Sequence, residues 1–134
     1  MPSQKPETTF IQRIHRQLPP DLHKEKLHNS YRGGMADVWY SGPGRDLWVE
    51  YKYTEKLPRS DEIVPNLTPL QRRWLNSRHD EGRHVAVILG TPDGGVIYRD
   101  KEWMIPRSRE ELEALMKGHR EVAQWIRHFT GGLE

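Results

Sequence analysis

Between Gly33 and Tyr53 the chain reads GGMADVWYSGPGRDLWVEYKY, two β-rich runs on either side of the turn formers Ser41-Gly42-Pro43-Gly44-Arg45. Residues 36–40 and 46–53 therefore predict a hairpin. Successive strand side chains alternate between faces, so Leu47, Val49, Tyr51 and Tyr53 share one side of the second run and Asp46, Trp48, Glu50 and Lys52 the other. On the first run Ala36, Val38 and Tyr40 oppose Asp37 and Trp39. If the two polar faces coincide, Asp37, Glu50 and Lys52 meet, with Glu50 and Lys52 about 7 Å apart along their strand.

Two carboxylates in a partly dry site repel one another, and a divalent cation is the usual way to offset the repulsion. Hard oxygen ligands favour Mg2+ or Mn2+ over softer metals. A lysine beside such a pair can stabilise charge developing on a phosphoryl group or orient the attacking water. The same spacing also suits a surface hairpin with an ordinary Glu–Lys pair, and spacing alone does not separate the two.

Asp37, a β-turn and then Glu50-Tyr51-Lys52 resemble the acid-turn-E-x-K signature of the PD-(D/E)XK nuclease superfamily. The following LTPLQRRWLN (67–76) and HVAVILG (84–90) make the region from about residue 7 to 100 most similar to the VRR-NUC group and to phage-encoded nucleases that nick DNA or resolve its branches. The resemblance implies a restriction-endonuclease-like core. It implies Mg2+ (or Mn2+) held by Asp37 and Glu50 with the backbone carbonyl of Tyr51, Lys52 as the catalytic lysine, and Gln71 lining the catalytic site. Ala36 stands where the superfamily usually has proline. An acid on the first helix is common in the family; Glu7 is the candidate metal ligand there, and Gln12 the other polar candidate. The implied activity is that of a metal-dependent endodeoxyribonuclease hydrolysing phosphodiesters in duplex, nicked or branched DNA, often as a homodimer, in the cytoplasm or, for a phage protein, the host cytoplasm.

A chain of 134 residues with 34% hydrophobic and 30% charged residues fits one domain with a modest core. No apolar run is long enough to span a membrane, and the first ten residues have no signal-peptide core. Without cysteine there is no disulfide scaffold and no thiolate zinc site. The histidines show no paired ligand spacing. A net charge of +2 and a pI near 9.0 lean weakly towards nucleic acid.

In chain order, residues 1–6 and 131–134 are expected to be disordered. Phe10, Ile11, Ile14 and Leu18 predict an amphipathic helix ended by Pro19-Pro20. Thr9 and Gln12 have capping-box spacing, and Glu7 falls where a carboxylate suits the helix dipole, so both residues carry structural readings beside the catalytic ones. Residues 22–31 predict an edge strand leading to Arg32 and a glycine pair. The charged stretch 54–66, interrupted by two prolines, offers Lys56 and Arg59 as substrate grips. Thr68, Pro69 and Gln71 open the best-marked helix, with Leu67, Leu70, Trp74 and Leu75 as its buried stripe and Gly82 at its end. Its Arg72 and Arg73 join Arg32, Lys56 and Arg59 as candidate DNA contacts. Residues 85–89 read as a central strand covered on both faces. Pro92-Asp93 imitates a nuclease motif in letters but makes a β-turn. Ser108 and Glu111 start a helix with Leu112, Leu115 and Met116 inward; after Gly118, Val122, Trp125, Ile126 and Phe129 define the last.

The order helix, strand, hairpin, helix, strand, strand, helices predicts an α/β domain with a central mixed β-sheet flanked by helices. The competing function is a non-catalytic nucleic-acid-binding module that keeps a nuclease fold; a structural or partner-binding protein is the third reading.

Overall fold

A computed structural model describes residues 5–27 and 34–132. Five strands, β1 His23–Lys26, β2 Val38–Ser41, β3 Asp46–Tyr53, β4 Val85–Thr91 and β5 Gly94–Tyr98, form one sheet in sequential order. The predicted hairpin is β2–β3, antiparallel with Val38 opposite Val49 and Tyr40 opposite Leu47. After β3 the chain passes through α2 (Pro69–Asp80) and returns as β4 parallel to it, with Glu50 beside Val87 and Lys52 beside Leu89. β5 then folds back antiparallel, which makes the sheet mixed.

The alternation of β3 sorts the two layers. Tyr40, Leu47, Val49, Tyr51, Ala86 and Ile88 bury one face of the sheet beneath α1 (Pro6–His15) and α4 (His119–Thr130). Val85, Val87, Leu89, Val96 and Tyr98 bury the other beneath Leu75 of α2, Trp103 and Leu112 of α3 (Arg109–Leu115). β4 is buried along its whole length, as its unbroken apolar run requires. No helix among the described residues is long and apolar enough to cross a membrane.

Local signals set most of the helix starts. Thr68 and Gln71 close a reciprocal capping box, as do Ser108 and Glu111. The box expected at Thr9 and Gln12 does not form. Proline suits the first position of a helix, and Pro6 starts α1 four residues early, with Lys5 in place of Thr9 at the cap, leaving Thr9 inside with its hydroxyl bonded back to the Lys5 carbonyl at 3.4 Å. Lys5, Pro6, Gly131 and Gly132 are thus placed, whereas residues 1–4 and 133–134 lie outside the described residues. Leu70 and Leu115, predicted inward, are 51% and 43% exposed. The inward position one turn before Leu75 is taken by Gln71, which turns Leu70 to solvent. Leu115 ends α3, and the chain leaves the helix at Met116. The edge strand is only four residues long, and His28 to Gly33, with the proposed contact Arg32, lie outside the described residues.

Two tight turns depend on glycine. Gly94 adopts φ +151° in the β4–β5 turn, where a Cβ would fall 2.0 Å from the Lys117 carbonyl oxygen. At the other end of the sheet the β2–β3 turn docks on α4: the N–H groups of Gly44 and Arg45 both donate to the Thr130 carbonyl at 2.9 Å. A Cβ on Gly42 would meet that carbonyl oxygen at 2.5 Å, backbone that cannot swing aside. Gly42→Ala is therefore expected to destabilise the protein by about 1–3 kcal/mol, seen as a lower midpoint in thermal unfolding; an unchanged midpoint would mean that the turn and α4 are not in contact.

Candidate active site

The site forms where the β2–β3 ladder stops. Val38 opposite Val49 is its last pair, followed by a hydrogen bond from Asp37 N–H to the Val49 carbonyl at 3.0 Å. Two residues further along β3 no strand remains on that side. The Asp37 side chain takes its place, Oδ2 accepting from Tyr51 N–H at 2.9 Å. The N–H and C=O of one strand residue project to the same edge, so the Tyr51 carbonyl also faces the Asp37 gap.

The Tyr51 side chain is anchored on the opposite face, in the core. Its hydroxyl meets that of Tyr40 at 2.6 Å, and Tyr40 meets His15 Nε2 at 2.8 Å, tying α1, β2 and β3 together below the acids. Burial, aided by the charges of Lys24 and Lys26, pushes the His15 pKa down to about 4, so the imidazole is neutral at physiological pH.

Glu50 points to the α2 face and is 2% exposed. Its Oε2 accepts from Gln71 Nε2 at 3.0 Å and lies 3.5 Å from Lys52 Nζ, while its Oε1 is buried with no hydrogen-bond partner. Trp48, one repeat back on the same strand face, stacks on Trp39 with centroids 5.5 Å apart and meets Trp74 of α2 at 6.0 Å, walling this flank of the site with indole.

The electrostatics follow from this packing. Burial, then the charge of Asp37, push the Glu50 carboxyl from 4.5 up to about 8 against the pull of Lys52. Asp37 is also raised, because burial outweighs the Tyr51 N–H bond and the Lys52 charge. Glu7, half-buried in the first turn of α1, is raised by burial and then by Asp37. Three acids from three elements thus feel one another.

A buried carboxyl with one oxygen left unpartnered beside a second acid is poised to take up a cation. The orphaned Oε1 of Glu50, the Asp37 carboxylate and the Tyr51 carbonyl are all hard oxygen donors, so these residues suit Mg2+ or Mn2+. Among the described residues no group of three or more acids and imidazoles is gathered to hold a metal. Glu7, expected as a further ligand, bears on the pair through its charge.

Asp37, Glu50, Tyr51, Lys52 and Gln71 are brought together as the sequence suggested. Arg72 and Arg73 stand exposed on the first turn of α2, beside Gln71. Lys56 and Arg59 are also exposed, but they line a separate cleft of about 530 Å3 with Asp93, Arg109 and Glu113. Their loop is fastened rather than free-standing: Ile63 and Arg107 exchange backbone bonds at 2.8 and 3.0 Å. Lys26 and Lys5 were not singled out from the sequence. Lys26 bears on Asp37 and both bear on Glu7, a neighbourhood set by the sheet order and the docking of α1.

The mixed five-stranded sheet flanked by helices is a restriction-endonuclease-like α/β fold. No protein-family model matches the sequence, and no curated protein does. Among solved structures the chain is similar to Hjc, a Holliday junction resolvase from the archaeal hyperthermophile Archaeoglobus fulgidus, with a TM-score of 0.57 and 14% identity over 90% of this chain and 97% of that one. At that identity the likeness is one of fold.

Proposed function

We propose that this protein is a metal-dependent endodeoxyribonuclease that hydrolyses phosphodiester bonds, with branched or nicked DNA as its substrate. The observation that carries the reading is Glu50: buried, raised to about 8 by burial and then by the charge of Asp37, with one oxygen held by Gln71 and Lys52 and the other unpartnered. The fold shared with a junction resolvase supports the choice of substrate.

Asp37 and Glu50, with the Tyr51 carbonyl, would hold the divalent cation. Bound there, Mg2+ or Mn2+ supplies Lewis-acid polarisation of a phosphoryl oxygen and lowers the pKa of water. Gln71 fixes the orientation of Glu50. Lys52, 21% exposed and already facing the acids, places its ammonium where negative charge grows on the phosphoryl group. Water adds to phosphorus, one P–O ester bond breaks, and the departing oxygen takes a proton, leaving a phosphomonoester end and a hydroxyl end. Arg72 and Arg73 contact neighbouring phosphates and carry no sequence information.

The test is cleavage of supercoiled plasmid and of single-stranded, duplex, nicked and four-way DNA, with Mg2+ or with EDTA. Cleavage is expected only with the metal, most strongly on nicked or four-way DNA, and Lys52→Ala is expected to slow it by roughly 10²–10³-fold without loss of DNA binding. Cutting in EDTA, or a Lys52→Ala rate equal to wild type, would refute the mechanism. Salt-dependent binding with no cleavage would favour a binding module. A sizing column beside the panel tests the homodimer that the family resemblance implies.

A further inference from the structure

A polyanion approaching the carboxylates of Glu7 and Asp37 is repelled by them, so the strand that is cut has to be held by cations beyond the acids. Lys52 is committed to Glu50 at 3.5 Å, and Arg72 and Arg73 stand on the α2 side. The opposite side, by β1 and the start of α1, carries two lysines that the mechanism above does not use.

Lys26 closes β1 opposite Val38, and the next residue, Leu27, donates its N–H to the Asp37 carbonyl at 2.7 Å. Lys26 therefore flanks Asp37 on its outer side. Lys5 precedes the first turn of α1, two residues before Glu7. Both lysines are exposed, and among the described residues neither ammonium has a hydrogen-bond or ion-pair partner. They stand near enough to the acids to act on them through their charge, yet close on none of them.

We propose that Lys26 and Lys5 form a phosphate-binding rim that holds the DNA backbone on the β1–α1 side of the acid pair, opposite Arg72 and Arg73. This rests on the nuclease reading and extends it by setting the path of the strand: in over α1 and β1, across Asp37 and Glu50, out along the start of α2. Were the lysines there only to balance the acids, their removal would alter the metal-free stability of the protein but not its hold on DNA.

The two roles separate in a salt series. Affinity for labelled four-way and duplex DNA is read by fluorescence anisotropy in EDTA, where nothing is cut. Each phosphate contact contributes a slope of about 0.9 to the dependence of log affinity on log salt, so Lys26→Gln and Lys5→Gln are each expected to flatten that slope by roughly one and the double variant by roughly two. Arg127→Gln, on the last turn of α4 by the β2–β3 turn and so at the far end of the sheet, is expected to keep the wild-type slope. Wild-type slopes in both lysine variants would overturn the rim and leave the nuclease reading standing; wild-type protein with no salt-dependent affinity for any DNA would bring down both.

Discussion

Glu50→Gln is expected to make the metal-free protein more stable at pH 8 while abolishing cleavage. Burial holds the Glu50 carboxyl at about 8 in the folded chain, against 4.5 for an ordinary glutamate. Between those values the folded state keeps a proton that the unfolded state has released. Unfolding then loses a proton, and stability falls as pH rises, by up to about 1.4 kcal/mol per unit. The benefit of the neutral acid is fully present below pH 4.5 and has gone once pH has passed 8. Across the window this amounts to roughly 3–5 kcal/mol. Glutamine is neutral throughout and still offers an oxygen to the Gln71 amide. Variant and wild type are therefore expected to melt together near pH 5 in EDTA, and the variant to melt about 10 °C higher at pH 8. Added Mg2+ or Mn2+ should narrow the gap by stabilising the wild type alone. Equal melting at both pH values would show that no desolvated charge sits at this position, and the candidate site would lose its basis.

The parts of this molecule that were legible in the sequence are those whose causes are local. The face of every residue in β3 follows from alternation, and the starts of α2 and α3 follow from a hydroxyl and an amide or carboxylate three residues apart. Gln71 is instructive because a structural and a catalytic reading competed for it, and its side chain makes both the cap and a contact with Glu50. The Oε1 accepts Thr68 N–H at 2.9 Å, completing the cap, while Nε2 donates to Glu50 at 3.0 Å. What stayed hidden depends on packing. Nothing in residues 22–27 says that Lys26 lies next to Asp37, since that requires β1 to pair with β2. The His15–Tyr40–Tyr51 chain joins residues that sit 25 and 11 positions apart, with no periodicity to reveal them. Leu70 has an apolar side chain in a helix, yet the site requires the inward position next to it to be polar.

Asp37 combines two duties that substitution can separate. Its Oδ2 completes the backbone of β3 by accepting Tyr51 N–H at 2.9 Å, and its charge faces Glu50 across the open end of the hairpin. Asn keeps an oxygen for the N–H and removes the charge; Ala removes both. Asp37→Asn is accordingly expected to fold as stably as wild type in EDTA. Because the Asp37 charge is one of the causes that raise Glu50, the Asn variant should also lose less stability between pH 5 and pH 8. Asp37→Ala leaves the Tyr51 N–H without its acceptor and is expected to cost about 1–3 kcal/mol. Both variants should bind Mn2+ more weakly by calorimetry and cleave DNA slower by roughly 10³-fold, since loss of a ligand forfeits several kcal/mol of transition-state stabilisation at about 1.4 kcal/mol per factor of ten. An Asn variant that cleaves at the wild-type rate would show that the charge at Asp37 is dispensable to the chemistry. An Asn variant as unstable as the Ala variant would show that the bond to Tyr51 depends on the charge. With both outcomes excluded, the end of the β2–β3 ladder is the reason the two acids converge: where main-chain pairing stops, the Asp37 carboxylate takes over the Tyr51 N–H through one oxygen, and the other would be free to meet the proposed cation.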